Sequence, residues 1–394
     1  MKKALRTSLL AACCSWLVYS GGSLANDNLK ISGFGTITAG LATDSEKPRG
    51  PYDGDVTFKP DSLMGVQLYY SYDDKISATL QLTSRGMTDF DTKIEWAYLT
   101  YIADRNWSFK LGKFRTPFFE YSQSVDIGYS YHWVKPPESV YIPLFSNLEG
   151  ASVTHRGRIG KADSTLELFY GTLHETSPAG PVDLNYMVGG SWLYQYDWFS
   201  VRASYFKSEV TLPPIFAPAV LSILPSTDPM APPPPGIPMV SPAVADAIIP
   251  FEEDTTFGGI AVKAEFDEWL FLAEYTFTDM DDSIFTNPKG SYVSVAYTMG
   301  DWQPHITYEW FDTEPQTQIL DMVPTNDPVY PILSKIIAET SEDRTIATVG
   351  VRYNLNYATS LKLDYSYVDY DVEIPGPRPL VDAGLILFSA NFVF

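Results

Sequence analysis

The sequence predicts an all-β fold, a transmembrane up-and-down antiparallel β-barrel of about 16 strands, and three observations carry that expectation. The chain stops on Phe394 after a period-two run from Leu385, with Phe388, Ala390, Phe392 and Phe394 on one face, as a strand closing a cylinder requires. From residue 26 onward, runs of alternating character are joined by short Asp/Asn-rich turns and by longer polar stretches in alternation. No stretch in that part of the chain approaches the roughly 20 apolar residues of a spanning helix, so any membrane crossing must use strands.

The start of the chain reads as an export leader. Lys2, Lys3 and Arg6 form a charged region, an apolar stretch runs from Leu9 to Val18, and Ser23-Leu24-Ala25 resembles a cleavage site, so residues 1–25 are expected to be removed. A lipoprotein box at Leu10-Ala11-Ala12-Cys13 is the alternative, but it would leave a very short signal and waste the apolar residues behind it. Cys13 and Cys14 are the only cysteines, so the mature chain has no disulfide, thiolate metal site or cysteine nucleophile. A formal charge of -21 makes nucleic acid a poor partner.

Strands are expected at 29–41, 62–72, 76–86, 93–103, 107–115, 149–157, 164–173, 185–196, 199–208, 256–266, 269–278, 290–299, 303–312, 344–355, 358–369 and 383–394. Tight turns join them at Asp73-Asp74-Lys75, Asp104-Arg105-Asn106, Asp197-Trp198, Asp267-Glu268, Gly300-Asp301-Trp302 and Asn356-Tyr357. Trp107, Trp198, Trp269 and Trp302 recur there, which an aromatic belt at one membrane face explains. Parity sorts the rest: Ile76, Ala78, Leu80 and Leu82 face lipid while Ser77, Thr79, Gln81, Thr83 and Arg85 face inward. Leu361, Leu363, Tyr365 and Tyr367 likewise face out, with Lys362, Asp364 and Ser366 inside. A bore lined so is expected to be wet. A soluble sandwich shows the same alternation strand by strand, but this many strands without a second domain would need several sandwiches.

The segment 116–147 interrupts the pattern after the fifth strand. It carries Thr116-Pro117-Phe118-Phe119-Glu120, Val125-Asp126-Ile127-Gly128-Tyr129, Trp133-Val134-Lys135-Pro136-Pro137 and Val140-Tyr141, too rich in proline and aromatics for a strand. Such a segment needs a surface, and the inner wall of the barrel offers one.

The opening Ile31-Ser32-Gly33-Phe34-Gly35-Thr36, the run Gly112-Lys113-Phe114-Arg115-Thr116-Pro117, the later Trp133-to-Tyr141 patch and the terminal Phe394 resemble the Gram-negative trimeric porins, in a proteobacterial porin-like branch. The resemblance implies an outer-membrane homotrimer whose third external loop folds inward as a constriction, with basic residues on the wall facing acidic ones on the loop. The positions that match are Arg85, Lys113, Arg115, Arg156 and Arg202 on the wall, Glu120, Asp126 and Glu138 on the loop, and Lys135 of undetermined direction. A field across a narrow wet opening orients polar solutes, although the same charges could simply pair to pin the loop. Outward parity from Trp107, Phe109 and Leu111 would put Lys113 and Arg115 on lipid, so a bulge at Gly112 is expected to return them inward.

By parity the lumen receives Arg85, Lys110, Arg156, Arg202, Lys263, Arg352 and Lys362 against Glu95, Glu167, Glu265, Glu274, Glu309 and Asp364. These nearly cancel, which predicts weak ionic selectivity. The excess acid falls in external connections such as Asp312 to Asp343 and Asp279 to Asp282, where it solvates the loops or binds divalent cations beside lipopolysaccharide. Residues 209–255, with Pro213-Pro214 and Pro232-Pro233-Pro234-Pro235, form an apolar external loop that either packs over the mouth or a subunit boundary or is disordered. The connection 313–343 carries a short helix at Pro331 to Glu339.

His132, His155, His174 and His305 form no metal pair at helical spacing, and His155 near Ser152 and Thr154 is the nearest thing to an esterase pair. No enzyme and no cofactor are expected. The function expected is passive diffusion of small hydrophilic solutes through an outer-membrane channel. The alternatives are a solute-specific channel for sugars or organic acids, with Phe118, Phe119, Tyr121, Tyr129, Tyr131 and Trp133 as a sliding surface, and a plugged receptor or adhesion barrel.

Overall fold

Sixteen antiparallel strands close into one barrel, in which every strand pairs with its sequence neighbours and the first pairs with the last. The computed structural model describes residues 28–141, 146–177, 180–211, 253–280, 286–314, 317–372 and 380–394. The expected leader, most of 209–255, Asp281 and Asp282, and the short stretch 142–145 lie outside the described residues.

The strands are β1 (Leu29–Ala42), β2 (Leu63–Ser71), β3 (Ile76–Arg85), β4 (Thr92–Ile102), β5 (Trp107–Arg115), β6 (Asn147–Ile159), β7 (Ala162–Ser177) and β8 (Gly180–Tyr196). They continue as β9 (Phe199–Thr211), β10 (Glu253–Phe266), β11 (Trp269–Met280), β12 (Asn287–Tyr297), β13 (Trp302–Glu314), β14 (Asp343–Asn356), β15 (Thr359–Tyr370) and β16 (Ala383–Val393). Between β13 and β14 lie two helices, α1 (Gln318–Asp321) and α2 (Tyr330–Thr340), the second covering the helix expected at 331–339. No described helix is long and apolar enough to cross a membrane.

Closure runs in register from Phe34 opposite Val393 to Ala42 opposite Leu385. Gly33 and Phe394 exchange both backbone hydrogen bonds, at 2.9 and 3.0 Å. The Phe394 and Phe392 rings lie over Gly33 and Gly35, where a Cβ would collide with them. Edges that would otherwise template aggregation are thereby removed.

The barrel is inside-out, as parity requires. On β3, Ser77, Thr79, Gln81 and Thr83 are buried and Ile76 is exposed. On β15, Ser360, Lys362, Asp364 and Ser366 are buried, whereas Leu363, Tyr365 and Tyr367 face outward. Trp107, Trp198, Trp269 and Trp302 are exposed beside the tight turns.

One expectation about the interior needs correction. The inner wall of β15 is not open to a wet bore: Lys362 is 1% exposed and Asp364 5%, because residues from 116–141 lie against them. The external half of the inner wall is also apolar in places, as at Leu148, Phe169, Phe206, Phe257, Leu385 and Leu387, and loop side chains cover it. Apolar surface left facing water would cost about 25 cal/mol per Å².

Candidate functional site

Residues 116–141 cross the barrel by two kinds of contact. First, Phe118 packs against the stacked pair Phe206 and Phe257, with ring centroids 4.5 and 5.3 Å away, and Phe169 lies at 6.1 Å. Ser204 donates to the Pro117 carbonyl at 3.0 Å, which fixes that end against β9. Second, acidic and basic side chains of the far wall hydrogen-bond the segment's own backbone.

That second set is regular in its chemistry. Glu274 on β11 accepts the Glu120 amide at 3.1 Å, Glu309 on β13 accepts the Ser139 amide at 2.9 Å, and Asp364 on β15 accepts the Val134 amide at 2.8 Å. In the opposite sense, Lys362 donates to the carbonyls of Gly128 and Trp133, and Arg352 on β14 donates to those of Tyr129 and Tyr131 at 2.9 and 3.0 Å. Trp133, 1% exposed, donates its indole N–H to Thr307 at 2.7 Å. A loop in a bore has unpaired peptide groups, and an inner wall of charged side chains satisfies them. His132 packs against Trp133 and donates to or accepts from Ser294 at 3.0 Å. Burial, together with His305, Lys362 and Arg352, holds its imidazole well below the ordinary histidine range.

On the near wall, charges meet charges instead. Arg85 places Nη1 2.9 Å from Glu95 and Nη2 2.9 Å from Asp126. Arg115 contacts the same two acids at 2.5 and 2.7 Å, and also donates to the Ser122 carbonyl at 3.3 Å. Asn147 donates to Glu95 at 2.8 Å and Thr83 does so at 2.9 Å, so both oxygens of the Glu95 carboxylate are engaged. Arg115 is buried with its side chain 3% exposed, while that of Arg85 is 32% exposed. Of this cluster, Arg85 is therefore the member that meets the bore.

The geometry of the cluster comes from a register shift that was expected elsewhere. The irregularity lies where Gln81 pairs with Trp96 and Leu82 with Ile94, making Glu95 the extra residue of β4 and aiming it inward. Around Gly112 the β4–β5 and β5–β6 registers run without a shift. Gly112 does adopt φ +130°, a conformation that favours glycine, and Arg115 at the strand end reaches the interior. Lys113 keeps outward parity, opposite Glu149 with 4.0 Å between the charged atoms.

The remaining expected positions are dispersed. Glu120 pairs with Arg202 at 3.3 Å, and Arg202 also donates to Ser191 at 3.2 Å. Arg156 donates to Ser108 at 3.1 Å and is exposed. Lys135 lies 3.3 Å from Glu138, which is held more tightly by Arg49 at 2.6 Å. Against the cost of burial, Lys135 and Arg49 hold the Glu138 carboxyl below the usual carboxylate range. Sequence reasoning placed Glu95 in the lumen but outside the cluster, and it missed Arg49 altogether. The signals available were the glycine before Pro51 in the first connection and the β-bulge hidden in an otherwise regular β4.

Among the described residues no group of His, Cys, Asp or Glu could hold a metal ion. A model of the Gram-negative porin family matches residues 7–373. Solved structures share the fold at low identity. OmpT of Vibrio cholerae, in its trimer form, aligns at 13% identity and TM-score 0.53, over 93% of this chain and all of that one. OmpF of Salmonella typhi, solved with daunomycin, aligns at 12% and 0.56 over 94% of this chain and 99% of that one. An anion-selective porin from Comamonas acidovorans aligns at 10% and 0.54 over 93% of this chain and all of that one. No curated protein matches the sequence.

Proposed function

Since this chain belongs to the Gram-negative porin family and forms a multi-pass outer-membrane channel for passive diffusion of solutes, we propose that its aperture lies on the β2–β6 side of the bore, bounded by Arg85 of the wall and Asp126 of the loop. The observation that carries this reading is the division of polar groups: far-wall acidic and basic side chains are consumed by loop backbone, whereas Arg85 stays partly open. Segment 116–147 acts as the constriction, and solutes pass by sieving and by orientation in the field of the arginine–carboxylate cluster. Arg115 and Asn147 set that field from behind without meeting the solute. Arg202 with Glu120, and Arg156 further along the wall, line the bore as secondary charges.

The general channel is favoured over a solute-specific one by burial. Phe118, Phe119, Tyr131 and Trp133, 1 to 6% exposed, are occupied in packing the loop and leave only Tyr121 and Tyr129 partly free for a sliding surface. Two arginines against two carboxylates in the cluster beside the bore support weak ionic selectivity, no covalent chemistry is required, and residues 1–25 serve as the export leader. We further propose a homotrimer, supported by the trimer form of the V. cholerae protein with the same fold, and a lipid and lipopolysaccharide belt around it. Planar-bilayer recording with a panel of sugars, organic acids and amino acids tests the function. Ohmic current unaffected by the solutes is expected, and saturable, solute-blocked current would replace this reading with the specific channel.

A further inference from the structure

We propose that the first external connection, between β1 and β2, is a second inward element whose Arg49 clamps the constriction segment, making Arg49 a positioning residue for permeation. The inference rests on the aperture reading above and adds what holds the aperture's far boundary in place.

Four observations converge on it. Arg49 reaches two partners on different elements: Glu138 of the loop at 2.6 Å through Nη2, and Ser366 of β15 at 2.9 Å through Nη1. One planar guanidinium thus ties loop to wall with a forked pair of donors, which a lysine cannot reproduce. Tyr52, 2% exposed, packs with Val134 of the loop and with Leu385 and Leu387 of β16, and its hydroxyl donates to Asp61 at 2.6 Å. Leu385 and Leu387 are inward-facing apolar residues on a strand whose inward face turns polar at Ser389 and Asn391, so they need a cover that this connection supplies.

The clamp is also preorganised. Arg49 and Tyr52 exchange both backbone hydrogen bonds, at 2.8 and 3.1 Å, around Gly50-Pro51. This is a two-residue hairpin with glycine first, and Gly50 has the φ of +58° that such a turn demands. The hairpin is tied back to β1 by Gly40 with Thr57 and by Ala42 with Asp53. Arg49 and Tyr52 are therefore delivered together onto the loop by a rigid arm. A small cavity of about 30 Å³, lined in part by Arg49, Lys135, Glu138 and Asp364, sits at the junction and has room for water only.

Single-channel recording of the full-length exported protein tests the clamp with Arg49→Ala, Arg49→Lys and Gly50→Ala. Arg49→Ala removes both donors and should raise the time spent in higher-conductance sublevels by at least about tenfold, the change expected from losing even one charge-assisted hydrogen bond. Arg49→Lys should restore this in part. Gly50→Ala keeps every charge and adds a methyl into open space, so it perturbs only the turn backbone; it should move the record in the same direction, and it decides the matter if Arg49→Ala fails to assemble. Unchanged records for both Arg49→Ala and Gly50→Ala overturn the clamp. If Arg85→Gln alters selectivity in the same experiments, the aperture reading survives that failure. If Arg85→Gln changes nothing either, the reading falls with it.

Discussion

The near wall around β3 to β6 and the far wall around β11 to β15 carry the same residue types on the same inward parity, yet they do different work. On the far wall, Glu274, Glu309, Asp364, Arg352 and Lys362 each bind a peptide group of the loop. On the near wall, Arg85 and Arg115 bind Glu95 and Asp126, and Arg85 keeps a third of its surface open. The difference teaches that an inward charge in a barrel is no sign of an eyelet. What matters is whether its partner is backbone, which consumes it, or another ion beside open space, which leaves a field.

The largest effect should come from breaking the far wall. Lys362→Met strips the Gly128 and Trp133 carbonyls of their buried donor, costing about 2–6 kcal/mol for two buried carbonyls left unpaired. The temperature at which the folded barrel loses its compact gel mobility should drop sharply, and current noise should rise. Unchanged thermal stability would erase the contrast between the walls.

A smaller effect follows from pH. The His132 imidazole is held below its ordinary range, so the unfolded or released loop binds a proton that the seated loop refuses. Seating is therefore complete above about pH 6.5 and weakens as pH falls, by about 1.4 kcal/mol per unit while the seated form stays neutral. Glu138, depressed in turn, adds a second loss only below its ordinary range near pH 4.5. Channel noise recorded against pH should rise first below 6.5, and His132→Gln should abolish that first rise. A profile flat to pH 5 would refute the assignment.

The near wall offers the smallest change and the most specific one. Arg85→Gln leaves Glu95 and Asp126 to Arg115 alone, and a unit charge at contact distance in water is worth about 1 kcal/mol, roughly a fivefold change in local cation occupancy. The reversal potential in a salt gradient should move toward cation preference with stability little altered. A reversal potential near the ideal cation value in the unmodified protein would contradict the weak selectivity expected from this balanced cluster.

The fold was legible because period-two alternation and tight turns are local signals. All sixteen strands were readable, with ends differing by up to five residues, as at β8, which begins at Gly180 rather than 185. The site was legible only in part, since burial on an inner wall depends on what the loops do. Parity placed Lys362 and Asp364 inside, but nothing in a strand of alternating residues says that a loop will lie on them. The Lys113 expectation went astray for a related reason: glycine at 112 marked an unusual backbone, while the register shift that shapes the cluster sits across the sheet at Glu95. Apolar residues at inward positions, such as Leu385 and Leu387, were the neglected clue to loop cover.

Cysteine accessibility from the aqueous bore tests the asymmetry most directly, because Cys13 and Cys14 are the only natural cysteines and lie in the expected leader. Arg85→Cys and Ser389→Cys place thiols on the near wall and beneath the loop, where Ser389 is 0% exposed. A charged, membrane-impermeant thiol reagent should reduce single-channel current through Arg85→Cys promptly and leave Ser389→Cys untouched. Rapid block at Ser389→Cys with none at Arg85→Cys would place the aperture on the other side of the barrel and contradict the account.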